Sequence, residues 1–384
     1  MIKKLKIENF KSIKNSGELE LKNINILIGS NGAGKSNFLN FFKFLRKIYY
    51  WKDFNAFILQ NGGTEKFLFY GLKNSEYLSG EIVVSEFSNN ENINNKDVYR
   101  YYFNFKPVFS ESGSYFFIDK EELNIYDKNV KKGSGGSLIN HFREWCLEEN
   151  IRKDYFPIYK FTEILFSQLL IYHFQDTSLT SKIRQGSKKD ENNYLYEDAG
   201  NIAAFLYYIK HFYPKHYEWI EITIRSVFPS FGEFMLEPEP HSDYIYLKWR
   251  EINNDTIFGS YDLSDGTLRF IALATLLLQP FPPSVIILDE PEIGLHPFAI
   301  AKLSGLIQSV SSVSQVIVAT QSPELISYFN PEDIMVVDRT KENIEGKTFF
   351  HSSFKRYTSE ELQDWLYEYT IGELWKKNII KGSP

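Results

Sequence analysis

Three short stretches of this chain set phosphate-binding and acid–base groups at spacings chemistry can use. Gly29-Ser30-Asn31-Gly32-Ala33-Gly34-Lys35-Ser36 is a complete G-x-x-x-x-G-K-S loop. Its glycines let successive backbone N–H groups converge on an anion at the positive end of the next helix. Lys35 would reach the outer phosphates of a nucleotide, and Ser36 would hold Mg²⁺; Asn31, Gly32, Ala33, Gly34 and Asn37 complete the cradle. The second stretch is Val285-Ile286-Ile287-Leu288-Asp289-Glu290. Here a buried strand would deliver Asp289 to the Mg²⁺ shell, and Glu290 would polarise an attacking water. The third is Leu263-Ser264-Asp265-Gly266-Thr267-Leu268-Arg269. A Ser and a Gly at a helix start make a second anion site, and the plainer alternative is a helix cap with Asp265 in its first turn.

The elements needed to position these groups are legible around them. Ile24, Ile26, Leu27 and Ile28 read as a strand before the glycine loop, and Phe38, Leu39, Phe41, Phe42 and Leu45 as a helix after it. The sequence predicts strands at Leu5–Phe10, Leu19–Leu21, Gly80–Phe87, Val98–Phe109 and Tyr115–Tyr126, with a polar tip at Asn89–Asn95. Lys131-Lys132-Gly133-Ser134-Gly135-Gly136-Ser137 reads as a linker. Beyond it the pattern turns helical at Leu138–Glu148, Phe161–Phe174, Gly200–Phe212 and His216–Val227, with a mobile polar loop over Ser181–Asn193 and a strand at Tyr244–Arg250. The last third alternates: a helix at Gly266–Leu278, a strand at Val285–Leu288, a helix at Phe298–Val310, and strands at Gln315–Ala319 and Ile334–Val337. Such alternation means a parallel sheet covered on both faces. The expected fold is therefore α/β, with one domain built from both chain ends (1–130 and 236–384) around an inserted, mostly helical lobe (131–235).

Composition narrows the function. A net charge of −6 argues against a chain that coats nucleic acid non-specifically, while leaving room for a local basic groove. One cysteine, Cys146, excludes an internal disulfide framework and suits a reducing cytoplasm. The longest apolar stretch, Phe270–Leu278, is too short to cross a bilayer, so no membrane association is expected. The 33 Phe and 25 Tyr read first as compositional bias.

With these residues in hand, the chain resembles ABC-type ATPases of the SMC/RecF-like branch. Leu263-Ser264-Asp265-Gly266-Thr267 looks like that branch's signature loop, and Asn9-Phe10-Lys11-Ser12-Ile13 like its N-terminal turn near the adenine and ribose. The close of the chain, with Gly372-Glu373-Leu374-Trp375, is similar to the tail of single-chain bacterial AAA-type ATPases of the RecF-like group. The resemblance covers 1–85 and 240–384 and implies a P-loop ATPase head that binds ATP and Mg²⁺. In that family Ser264, Asp265, Gly266 and Thr267 would cap the γ-phosphate held by a second copy, giving a homodimer around an ATP sandwich. Gly294, Leu295 and His296 would lie in the loop crossing that interface. Lys11 and Ser12 would line the nucleotide, and Gln60 is the candidate for the glutamine that meets Mg²⁺. The position after Thr320, usually His, holds Gln321. Its amide donates a hydrogen bond to phosphate but cannot titrate like an imidazole, which implies slow hydrolysis.

Two functions follow from the resemblance. One is an ATP-driven dimer switch that controls a separate effector, a nuclease or toxin, in antiphage defence or DNA repair. The other is a DNA-binding scaffold with mainly structural ATP, for which Lys3, Lys4, Lys6, Lys11, Lys14, Lys128, Lys131, Lys132, Lys188 and Lys189 supply basic groups. A transporter subunit fits poorly, because Ser36 and Ser264 are 264 − 36 = 228 residues apart, far more than a compact transporter insert. A Toprim nuclease is not expected on this chain.

Overall fold

A computed structural model describes residues 1–50, 54–85, 98–110, 113–125, 128–130, 169–238, 241–344 and 346–381. The linker 131–137, the helix Leu138–Glu148, most of Phe161–Phe174, the Asn89–Asn95 tip and Cys146 lie outside the described residues.

The central sheet has six strands in the order Lys347–Arg356, Ile334–Ile344, Ile24–Ile28, Gln315–Ala319, Val285–Asp289, Ile171–Tyr172. Strands from both chain ends interleave. Ile24–Ile28 runs parallel to Gln315–Ala319 on one side and to Ile334–Ile344 on the other. Every residue of Ile24–Ile28 and Gln315–Ala319 is buried, as strands covered on both faces should be; the two polar members, Asn25 and Gln315, are hydrogen-bonded to Lys22 and Ile2. Their side chains divide by alternation between two cores. Leu27, Ile287, Ile317 and Ala319 join one; Ile26, Ile28, Ile286, Leu288, Val316 and Val318 join the other.

In the first core the helix Lys35–Tyr49 lies between the central sheet and a seven-stranded antiparallel sheet. That sheet is built on Ile2–Phe10, Leu78–Ser85, Val98–Ser110 and Gly113–Ile125. Phe41 and Phe44 meet Phe10 edge-on at 5.3 and 5.5 Å, and Phe103 lies 6.2 Å from both. The abundance of phenylalanine is thus a packing feature: long, wide side chains fill the gap between helix and sheet.

The second core gathers the helices Ile202–Phe212, Pro214–Val227, Asp265–Leu278 and Pro297–Val310. Two of these were expected in a separate lobe. Their buried residues, with Leu170, Tyr172 and Phe174 before them, share one cluster with the C-terminal helices, while Leu169 and Ile171 face the other.

Two local expectations fail. The helix over Phe161–Phe174 does not extend through Ile171–Tyr172, which is a strand pairing in parallel with Val285–Asp289. A run of four apolar residues, Leu169 to Tyr172, fits either period, and the sheet's open edge decides it. Ser181–Asn193 is not a free polar loop. It makes a 3₁₀ turn at Lys182–Arg184 and pairs Ser187–Lys188 with Tyr244–Ile245, with Ile183 and Arg184 buried. The strand read as Ile334–Val337 continues to Ile344 and turns back as Lys347–Arg356.

Candidate functional site

The glycine loop leaves the strand Ile24–Ile28 and enters the helix at Lys35. Gly32 and Gly34 take φ values of 78° and 119°, which side-chain-bearing residues rarely adopt. Gly34 also sits where a Cβ would collide with Ser352 Oγ at 2.0 Å. Ser352 donates to Ala33 O at 2.6 Å, its Oγ lies 2.8 Å from Ser12 Oγ, and Asn37 Nδ2 donates to Ser12 Oγ at 2.8 Å. Lys11-Ser12 thus packs behind the loop, with Lys11 held over the Phe10 and Phe67 rings. Asn31, Gly32 and Ser36 are exposed at the loop's open side.

Lys35 is buried, and its ammonium donates to Gly29 O at 2.5 Å and Ser30 O at 3.3 Å. Burial lowers its pKa; the charges of Glu290, Asp289 and Glu292 oppose that shift. Asp289 ends its strand beside Ala319 and next to Glu290. Burial raises its carboxyl pKa, and the Glu290 charge adds to this. A cation at Asp289 would reverse the penalty. Glu290 has φ 47°, a strained value for a side-chain-bearing residue, and its N–H donates to Ala319 O at 2.7 Å. Gln321 Nε2 donates to Glu290 Oε1 at 2.6 Å. Glu292 is buried with a raised pKa, and Thr320 Oγ1 donates to its Oε1 at 2.5 Å.

The structure therefore gathers Lys35, Asp289, Glu290 and Gln321 at the carboxyl ends of adjacent parallel strands, where ligands of such sheets bind. Gln60 is not among them. It ends the helix Phe54–Gln60, whose Leu59 lies against Gly113 of the antiparallel sheet. The glutamine beside Asp289 is Gln175, whose Nε2 donates to Asp289 O at 3.3 Å, and His173 Nδ1 lies 3.6 Å from Asp289 Oδ2. Sequence reasoning missed both, because they follow the edge strand that was read as helix.

Ser264 caps the helix Asp265–Leu278, accepting from Thr267 N at 3.1 Å. Gly266 packs on the backbone of Gly294, where a Cβ would meet Gly294 O at 2.4 Å. Gly294 takes φ 76°, Leu295 N donates to Glu292 O at 3.0 Å, and His296 caps the helix Pro297–Val310. Among the described residues, no hydrogen bond or ion pair joins Ser264–Thr267 to Gly29–Asn37 of the same chain.

Fold and phosphate loop together define a P-loop NTPase of mixed α/β architecture. The chain belongs to the family described as "AAA domain, putative AbiEii toxin, Type IV TA system", whose model matches residues 24–123 and 136–327. Among solved structures it is similar to an SMC head bound to the C-winged helix domain of ScpA: 17% identity, TM-score 0.56, covering 94% of this chain and 99% of that one. It is also similar to an SMC head with an extended coiled coil bound to the C-terminal domain of ScpA derived from Pyrococcus furiosus. There the identity is 16% and the TM-score 0.51, over 96% of this chain and 98% of that one. Comparison with curated proteins gives no match.

Proposed function

We propose that this protein is a slow ATPase switch that dimerises head to head around two ATP–Mg²⁺ and so controls a separate effector. The observation that carries the reading is the split between the two halves of the site. Lys35, Asp289, Glu290 and Gln321 converge within one chain, while among the described residues no hydrogen bond or ion pair joins Ser264–Thr267 to the phosphate loop, which supports use of that signature loop by a second copy.

Loop amides and Lys35 would grip the phosphates, and among the described residues Lys35 gives up bonds to carbonyls of its own loop, Gly29 and Ser30. Ser36 and Asp289 would hold Mg²⁺, whose chemistry is to neutralise charge developing on the phosphates. Glu290 would take the proton of the attacking water, with Gln321 orienting its carboxylate. Among the described residues no helix is long and apolar enough to cross a membrane. The family's description names a "putative AbiEii toxin, Type IV TA system", which supports a toxin–antitoxin setting; the separate effector, a toxin or nuclease, is part of the proposal. The DNA-scaffold reading is weaker, because Lys4, Lys6 and Lys14 are already paired with Glu18, Glu8 and Glu342.

The test is sedimentation of Glu290→Gln with and without ATP–Mg²⁺. A dimer that forms only with ATP supports the switch; a monomer under both conditions contradicts it.

A further inference from the structure

Asp265 poses a physical problem for the proposed switch. It is the first residue of the helix Asp265–Leu278, at the position where an incoming phosphate would be bound by free amides. A carboxylate there repels an anion and competes for the same N–H groups. The side chain is turned away from that use. Asp265 Oδ1 accepts from Arg184 Nη2 at 2.8 Å.

Arg184 is built for this task. Its side chain is only 5% exposed. Nε donates to Thr177 O at 2.7 Å, and Nη1 donates to Ser260 O and to Leu263 O. Ser260 Oγ returns a hydrogen bond to Arg184 O at 2.6 Å. One planar guanidinium thus spans both sides of the signature loop and the segment 175–177, whose Gln175 bonds Asp289 O. Arg269, on the signature helix, donates to Gln175 O at 2.7 Å and to Ile293 O at 2.9 Å, closing the same connection from the other side.

We propose that Arg184 is the positioning residue of the signature loop: it holds Asp265 back from the phosphate position and ties the loop to the segment touching Asp289. A signature loop that carries Asp265 between its serine and its glycine then works because a buried arginine neutralises the acid. The same tie couples the metal side of one site to the cap each copy offers its partner. This rests on the head-to-head dimer proposed above.

The experiment uses the full chain in the Glu290→Gln background. ATP affinity is read by titration of a fluorescent ATP analogue, and dimerisation with ATP–Mg²⁺ by sedimentation. Arg184→Lys keeps a charge but cannot span four acceptors. It should leave nucleotide affinity within about twofold and weaken the dimer about tenfold or more. Adding Asp265→Gly removes the released carboxylate and should restore the dimer to within about threefold of the parent. Asp265→Asn alone should dimerise at least as well as the parent, and it keeps the idea testable if Arg184→Lys folds poorly. A parent dimer with no rescue by Asp265→Gly, or a dimer weakened tenfold by Asp265→Asn, would overturn the proposal alone. A parent that never dimerises would overturn the sandwich reading and this proposal with it.

Discussion

Gly34→Ala probes the support behind the phosphate loop. An alanine Cβ at this position would lie 2.0 Å from Ser352 Oγ, 3.0 Å from Ser352 Cβ and 2.9 Å from Ser12 Oγ. Gly34 also has φ 119°, so any side chain is strained even in open space, at about 1–3 kcal/mol. Driving Ser352 aside breaks its bond to Ala33 O, and an unpaired buried carbonyl costs about 1–3 kcal/mol more. The expected loss is about 4 kcal/mol, or about 5 °C in Tm for a chain of 384 residues. Ser352→Gly removes the two Ser352 atoms and leaves the Ser12 hydroxyl at 2.9 Å, a rotatable group freed of its Ser352 contact that can turn aside. In that background Gly34→Ala should cost only the backbone strain, so the two changes should couple by about 2 kcal/mol in a double-mutant cycle read by thermal unfolding. The reasoning is refuted if Gly34→Ala is as stable as the parent, or if it costs the same with and without Ser352.

Two further outcomes follow from the acidic end of the site. His173→Ala with Gln175→Ala should leave metal-free ATP affinity within about twofold and reduce the Mg²⁺-dependent gain about tenfold, measured by nucleotide titration with and without Mg²⁺; an unchanged gain would separate these residues from the metal. Burial raises the Glu292 pKa, so its stabilising contribution is complete below the ordinary glutamate value and is lost as pH rises through the raised one. Glu292→Gln, which keeps an acceptor for Thr320, should therefore raise Tm by a few degrees at pH 8 and not at pH 4.5; equal shifts at the two pH values would contradict the burial argument.

Much of this architecture was readable because strong local patterns met a shared requirement. The glycine loop sits between a strand and a helix, and Val285–Leu288 ends in two acids; each reading demands the other, and the sheet satisfies both. What stayed hidden depended on tertiary choices. Leu169–Tyr172 has no period of its own, so the edge it joins, and with it His173 and Gln175, could not be placed. Gln60 was favoured by its closeness in the chain to the phosphate helix, whereas the glutamine that bonds Asp289 O lies after the edge strand, at Gln175. Arg184 lay in a polar stretch that reads as a loop; only the carbonyls of Ser260 and Leu263, some eighty residues on, explain its burial. Gln321 was visible as a substitution for His, but its bond to Glu290 was not.

The central claim, a composite site shared by two copies, is tested most directly by complementation. One tagged chain carries Lys35→Ala and cannot hold phosphate; a differently tagged chain carries Ser264→Arg and cannot cap it; both carry Glu290→Gln. Neither should dimerise alone with ATP–Mg²⁺. Mixed, they restore one whole site, the intact phosphate loop of the second chain under the intact Ser264 loop of the first, and the account predicts an ATP-dependent mixed dimer by tag co-purification. A mixture that stays monomeric while the Glu290→Gln parent dimerises would contradict it.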